Sequence, residues 1–212
     1  MTSEYWPLDD LCVRSGSIEL RPPLPAEYEA LADAAARETH VHPLIPFLEH
    51  ASDTPMERGR RTLQWLWRNY GTWRPDEWSL ALAVLDRGRL VGVQNVRARD
   101  FARDRVTQSG VWVFRDERGQ GIGKHSRHAL LHLIFDGLGA ERSRFRAAAD
   151  NRASLALARS LGYVEDPPPA TGRGGARHFS LTADRWRARP HPVPAHIEGL
   201  DRALFMFGIG HE

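Results

Sequence analysis

Residues 111–124 read Val-Trp-Val-Phe-Arg-Asp-Glu-Arg-Gly-Gln-Gly-Ile-Gly-Lys, and no other stretch constrains the fold as much. A β-branched and aromatic run leads into glycines at 119, 121 and 123, and a helical apolar pattern follows with Leu130, Leu131, Ile134 and Phe135 on its inner face. A strand, a tight turn and a helix in that order make an α/β unit. The start of such a helix presents unsatisfied N–H groups and positive partial charge. The glycines let that backbone approach a bulky anion with no Cβ atoms in between. The unit is a seat for a pyrophosphate.

Two common phosphate loops do not fit. A Walker loop needs glycine at 118 and Ser or Thr at 125, where Arg118 and His125 stand. A dinucleotide fingerprint needs a third glycine at 124 or 126, where Lys124 and Ser126 stand. The pattern present is R-x-x-G-x-G, carried by Arg118, Gly121 and Gly123. About thirty residues on, a predicted strand over 142–150 leads into Asn151-Arg152-Ala153-Ser154 and a helix to 161, with Gly162-Tyr163 after it.

Together these two motifs resemble the coenzyme A loop and the following N-x-x-S…G-[F/Y] motif of the GNAT superfamily of N-acyltransferases, over roughly residues 15–186. Serine at the fourth position, here Ser154, is similar to the branch that acetylates ribosomal-protein N-termini. Many other members carry a tyrosine acid seven residues after the asparagine; here that position is Ala158. Tyr5-Trp6-Pro7-Leu8, residues 76–80 and residues 200–207 also resemble an actinobacterial branch that includes mycobacterial users of succinyl-CoA.

The resemblance implies an α/β (α+β) GNAT fold, a central mixed and mostly antiparallel splayed sheet flanked by helices. It implies one catalytic domain over 1–186, with 187–212 as a tail packing on that domain or on a partner subunit. It implies direct transfer of an acyl group from acetyl-CoA to a primary amine, with succinyl-CoA as the alternative donor. The acceptor would be a protein N-terminus, a lysine or a small molecule. Gly119, Gln120, Gly121, Ile122, Gly123 and Lys124, opened by Arg118, would hold the pyrophosphate through backbone N–H groups. Val111, Trp112 and Val113 would pair with the pantetheine arm, and an N–H near Val113 would polarise the thioester. Asn151 would orient pantetheine, and Ser154 would protonate the leaving thiolate. Asp100, ending the third strand, is a candidate base for the amine; its other reading is a surface turn in the charged run 97–105. Loss of the tyrosine acid leaves a non-catalytic CoA-binding module as the competing class.

The remaining signals bound the chain. Its 212 residues, 42% hydrophobic, suit one domain with a real core. The single cysteine, Cys12, makes no disulfide framework. A net charge of +2 with arginines scattered among acids argues against a nucleic-acid partner. Absence of a long apolar run or a signal-peptide pattern predicts no membrane association and a cytoplasmic location. The apolar segment 200–207 predicts a homo-oligomer. Strands are predicted at 18–22, 78–85, 89–99, 110–115, 163–165 and 177–181, and helices at 26–37 and 55–69. Trp65, Trp67, Trp73 and Trp78 read as core or acceptor wall, and Tyr163 as core. No metal is expected. His40 and His42 lack a third ligand at metal spacing, and His125, His128 and His132 share one helix face that reads as solvated or phosphate-contacting, with a zinc site as the lesser alternative.

Overall fold

The computed structural model describes residues 4–39, 44–167, 175–191 and 193–210. His40, His42 and most of the glycine- and proline-rich loop after Asp166 lie outside the described residues.

The first strands are β1 (Cys12–Ser15) and β2 (Ile18–Arg21), followed by helices α1 (Pro25–Ala36) and α2 (Pro55–Gly71). Both helices start with proline at the first turn, where its missing N–H costs nothing. Thr54 and Glu57 cap α2 reciprocally: Glu57 N–H donates to Thr54 Oγ1 (3.2 Å) and Thr54 N–H donates to Glu57 Oε2 (2.7 Å). Next come β3 (Glu77–Asp86), β4 (Arg89–Arg99), the single turn α3 (Phe101–Asp104), β5 (Val106–Val113) and α4 (Ile122–His132). Then follow β6 (Arg142–Ala148), α5 (Arg152–Ser160), β7 (Val164–Glu165), β8 (Ala176–Thr182), α6 (Ala183–Arg187) and β9 (His196–Glu198).

The nine strands form one sheet in the order β7-β8-β6-β5-β4-β3-β2-β1-β9. Every neighbouring pair is antiparallel except β5 with β6. This is the mixed, mostly antiparallel, helix-flanked sheet that the resemblance implies. Period-2 alternation sorts the strand side chains between two cores. Leu80, Leu82 and Val84 of β3 join Leu130, Leu131 and Ile134 in the larger core. Ala81 of β3, Val93 of β4 and Trp112 of β5 join Leu31, Phe47 and Leu66 in the smaller one, on the α1 and α2 side.

The described residues after α6 pack against the sheet and its core. β9 adds to the edge of β1, and a 3-10 turn at Asp201–Phe207 drives Phe207 between Trp73 and Trp78, at ring separations of 5.4 and 4.9 Å. Ala203 and Phe207 are fully buried there. These apolar residues are spent within the chain, which removes the reason for inferring a second subunit from them. Strands β1 and β9 had no counterpart in the sequence reading; each is held as a strand by its pairing, β1 with β2 and β9 with β1. Trp67 is exposed on α2 and belongs to neither core nor cleft.

The histidine face of α4 also differs from its reading as a solvated face. His125 is exposed, but His132 is buried and His128 half-buried against Trp186. Burial, ahead of repulsion from His132 and His191, pushes the His128 imidazole down to about 4. Among the described residues, no helix is long and apolar enough to cross a membrane.

Candidate active site

The parallel pairing of β5 with β6 runs only from Val106–Arg142 to Ser109–Phe145. Both strands continue, β5 to Val113 and β6 to Ala148, but they no longer pair, and the sheet opens into a V. The antiparallel ladder on the other side of β5 decides what faces the gap. Opposed pairs alternate between hydrogen-bonded and non-hydrogen-bonded. Phe114 N–H donates to Val91 O (2.9 Å), which makes Gly92–Val113 a non-bonded pair, and by alternation Gln94–Val111 is another. The N–H and C=O groups of Val111 and Val113 therefore point away from β4 and into the gap. Trp112 is placed differently. Its main chain is used by Val93, and its buried indole packs on Phe47 and donates to Glu38 Oε2 (3.5 Å). Gly92 permits the close approach of β4 here: a Cβ on it would stand 2.3 Å from the Trp112 carbonyl oxygen.

At the mouth of the V the glycine loop turns into α4. Gly119 and Gly121 have φ of +81° and +82°, backbone that favours glycine, and Gly121 is the N-cap of α4. Among the described residues, no backbone N–H from Gly119 to Gly123 finds a protein acceptor. The space over the loop is open too: a Cβ on Gly119 would meet nothing within 4 Å, and one on Gly121 only His125 Cε1 at 3.7 Å. The fold itself gives these bare donors no partner, and they suit an anion. Lys124 is exposed and unpaired among the described residues. Gln120 is turned back toward Asp116 and Glu117 (3.5 and 3.4 Å) and does not line the cleft.

Arg118 braces the loop. Its Nε donates to Val113 O (3.0 Å), and its guanidinium pairs with the buried carboxylate of Glu38 just beyond α1. Two of the side chain's nitrogens, Nε and one terminal nitrogen, thus bond protein groups. Glu38 carried no motif in the sequence, because its partner lies 80 residues away.

A cavity of about 580 Å³ runs from Gly119, Gly121 and Lys124, past Val111 and Val113, to Asn151 and Ser154. Asn151 caps α5 with Oδ1, which accepts from Ser154 N–H (3.0 Å), so its amide nitrogen remains for a ligand. The Ser154 hydroxyl makes no hydrogen bond to a described residue. Ala158 is buried in the core rather than on the cleft face of α5. Tyr163 is buried as well and shares a hydrogen bond with Ser143 (2.9 Å).

A second cavity of about 260 Å³ adjoins the first at Gly110, Val111 and Arg146, and reaches Trp65, Glu49 and Arg97. Loss of surrounding water, then the Arg146 charge, holds the Arg97 guanidinium below its ordinary range. Beyond it lies an open groove of about 930 Å³, bordered by Arg68, Arg97 and Arg144 with Glu77 and Asp104. Asp100 is not brought to any of these cavities. It occupies a left-handed turn (φ 50°) and pairs with the exposed Arg103 (3.3 Å), its surface-turn reading. Beneath the cleft floor, the buried Arg127 of α4 donates to Ser109 Oγ (2.9 Å) and stacks on Phe145 at 4.5 Å.

The chain's likeness to known proteins agrees with this geometry. An acetyltransferase (GNAT) domain model matches residues 17–164. Mycobacterium smegmatis RimJ, solved with CoA-disulfide, aligns with a TM-score of 0.69 over 94% of this chain and 95% of its own, at 16% identity. A Vibrio cholerae protein provisionally named a ribosomal-protein-serine acetyltransferase aligns at 0.64 over 82% and 98%, with 20% identity. A chimera of Vibrio cholerae spermidine N-acetyltransferase SpeG and hSSAT aligns at 0.60 over 82% and 100%, with 14% identity. The matched model spans the open edge of β5, the glycine loop and α5 together, and the chain belongs to the GNAT acetyltransferase family.

Proposed function

We propose that this protein transfers an acetyl group from acetyl-CoA to a primary amine by direct attack. The carrying observation is the continuous cavity from the bare N–H groups of Gly119–Gly123, along the unpaired edge of β5, to Asn151 and Ser154. Acyl-CoA, when bound, supplies an activated thioester. The glycine loop would hold the pyrophosphate, with Lys124 adding charge at the rim. The N–H of Val113, whose carbonyl already accepts from Arg118, and the edge groups of Val111 would hold the pantetheine amides straight, as an added strand is held. An arm anchored at the loop reaches Val113 first and Val111 further in. The Val111 N–H is therefore the better placed donor to the thioester oxygen as negative charge grows on it. The amide nitrogen of Asn151 would position the arm, and the Ser154 hydroxyl, directly or through water, would give the departing sulfur its proton. The amine proton would pass to water, since Asp100 lines none of the cavities.

Ser154→Ala tests the reading against a CoA-binding module without catalysis. Turnover with an amine panel should fall by about 10²–10⁴-fold while CoA affinity stays the same. A parent protein that binds CoA yet acylates nothing supports the module, and an unchanged rate removes Ser154 from the chemistry. The panel should include an N-terminal peptide, a lysine peptide and spermidine, since the similar structures carry names of both protein and polyamine acetyltransferases.

A second reading has its own observation. Arg97 and Arg146 line the cavity next to Val111, where an acyl chain longer than acetyl would end. Two guanidinium groups suit a carboxylate, as on succinyl-CoA. Under this reading, Arg97→Ala combined with Arg146→Ala lowers the rate with succinyl-CoA and leaves that with acetyl-CoA unchanged. Equal losses with both donors would dismiss it.

A further inference from the structure

α4 ends in a π-helical turn, Leu133–Gly137, and the segment after α6 folds back against it. Three imidazoles meet there, away from the acyl-transfer cleft. One nitrogen from each of His128, His132 and His191 lies within 4.8 Å of the other two. His128 and His132 are four residues apart on α4, so their rings share one face. His191 arrives from the far end of the chain.

The hydrogen bonds fix which nitrogens are available. His132 Nδ1 lies 2.6 Å from Asp136 Oδ2, a carboxylate that can only accept, so Nδ1 carries the proton and Nε2 holds a lone pair. That Nε2 is buried and has no partner among the described residues, on a residue that is 8% exposed. His191 Nε2 lies 2.9 Å from the Trp186 carbonyl oxygen and must donate to it, which leaves the lone pair on Nδ1. His191 Nδ1 stands 3.4 Å from His128 Nε2. A hydrogen bond between His128 and His191 would satisfy that pair and still leave His132 Nε2 orphaned inside the protein, an arrangement that is costly for a polar atom. A cation satisfies all three nitrogens at once.

We propose that His128, His132 and His191 form a site for a divalent transition-metal ion of the zinc class, which clamps the segment after α6 onto the end of α4. Zn–N bonds near 2.05 Å in a tetrahedron set neighbouring nitrogens about 3.3 Å apart, close to the His128–His191 separation. Neutral imidazoles select zinc, copper or nickel over magnesium and calcium, which take oxygen. Asp136 on His132 and the Trp186 carbonyl on His191 supply the outer hydrogen bonds that hold ligating rings in the right tautomer. Trp186 also donates to Asp136 Oδ1 (3.3 Å), which holds that carboxylate in place. Three protein ligands leave a fourth position for water or another donor.

The test uses the full chain without a purification tag, stripped with chelator and titrated with zinc chloride by calorimetry and with cobalt(II) by absorption. The expected result is one ion per chain, a four-coordinate cobalt spectrum, and a melting temperature that rises with added zinc. His128→Ala and His191→Ala, checked by circular dichroism for folding, should each weaken zinc binding by about a hundredfold or more, and Asp136→Asn by about 10–100-fold. His125→Ala, on the same helix but outside the cluster, should bind zinc like the parent. No heat and no melting shift with excess zinc would overturn the proposal. So would stoichiometric binding that survives the double change His128→Ala with His191→Ala.

Discussion

Gly123→Ala separates a glycine kept for the fold from one kept for a ligand. Gly123 lies in the first turn of α4 with ordinary helical backbone, and a Cβ built on it would meet only Val113 Cγ2 at 3.8 Å, a normal contact. Nothing in the protein therefore requires glycine at this position. Alanine should stabilise the helix by up to about 0.5–1 kcal/mol, because glycine loses more backbone entropy on folding. For a chain of this length that raises the melting temperature by about 1–4 °C. The same methyl group projects toward the cleft and holds a bulky anion off the loop. Losing one hydrogen bond to a charged group costs about 1.5–3 kcal/mol, or about a 10–150-fold weaker CoA Kd. Calorimetric CoA binding and differential scanning calorimetry on the same sample read the two effects, which carry opposite signs. Gly121→Ala is the contrast. At φ +82° a Cβ costs about 1–2 kcal/mol, so this variant should melt lower as well as bind CoA less well. If Gly123→Ala melts below the parent, the glycine is structural and the reasoning fails. If it is more stable and binds CoA like the parent, no anion approaches the loop.

Phe207→Ala should cost about 3–5 kcal/mol, since a fully buried ring leaves its place between Trp73 and Trp78. The resulting fall of about 6–20 °C in melting temperature should not vary with protein concentration; a drop that shrinks as concentration rises would show the tail packing on a second copy. Glu38→Gln should lose about 1–2 kcal/mol in urea unfolding, a value kept low because the Arg118 end of the pair reaches solvent. It should also weaken CoA binding as the loop loosens, whereas unchanged affinity would show that Val113 O alone holds Arg118. Burial first, then the Glu19 charge, pushes the Cys12 thiol up to about 11, against 9.0 for an ordinary thiol. Alkylation at pH 8 should therefore be about a hundredfold slower than in the urea-unfolded chain, and equal rates would place Cys12 at an open surface.

Local chemistry was legible before the fold was. Alternating Gly119, Gly121 and Gly123 after a Val-Trp-Val strand announce a bare-donor turn, because the conformational rules act on neighbouring residues. The Thr54-Pro55 start of α2 and the Asn151 cap of α5 are equally local, and each is built as its residues suggest. Asp100 shows where this kind of reading stops. Its place at the end of a strand is a sequence fact, but the left-handed turn that carries it to the surface depends on α3 following at once.

What the sequence determined by itself was the class of ligand and the elements that meet it: a strand, an anion-seating turn, and a second helix capped by asparagine with serine in its first turn. Tertiary structure alone decided which groups are free to act. The main-chain groups of Val111 and Val113 face the open cleft because β6 diverges from β5 after Ser109–Phe145, and those of Trp112 between them do not because β4 takes its main chain. Arg118 became a brace through Glu38, 80 residues earlier. The histidine cluster exists because His191 packs 63 residues away from His128. Spacing along a chain reports neighbours within a turn or a strand. Partners this distant are chosen by how the packed sheet and helices bring surfaces together, and no local pattern records that choice.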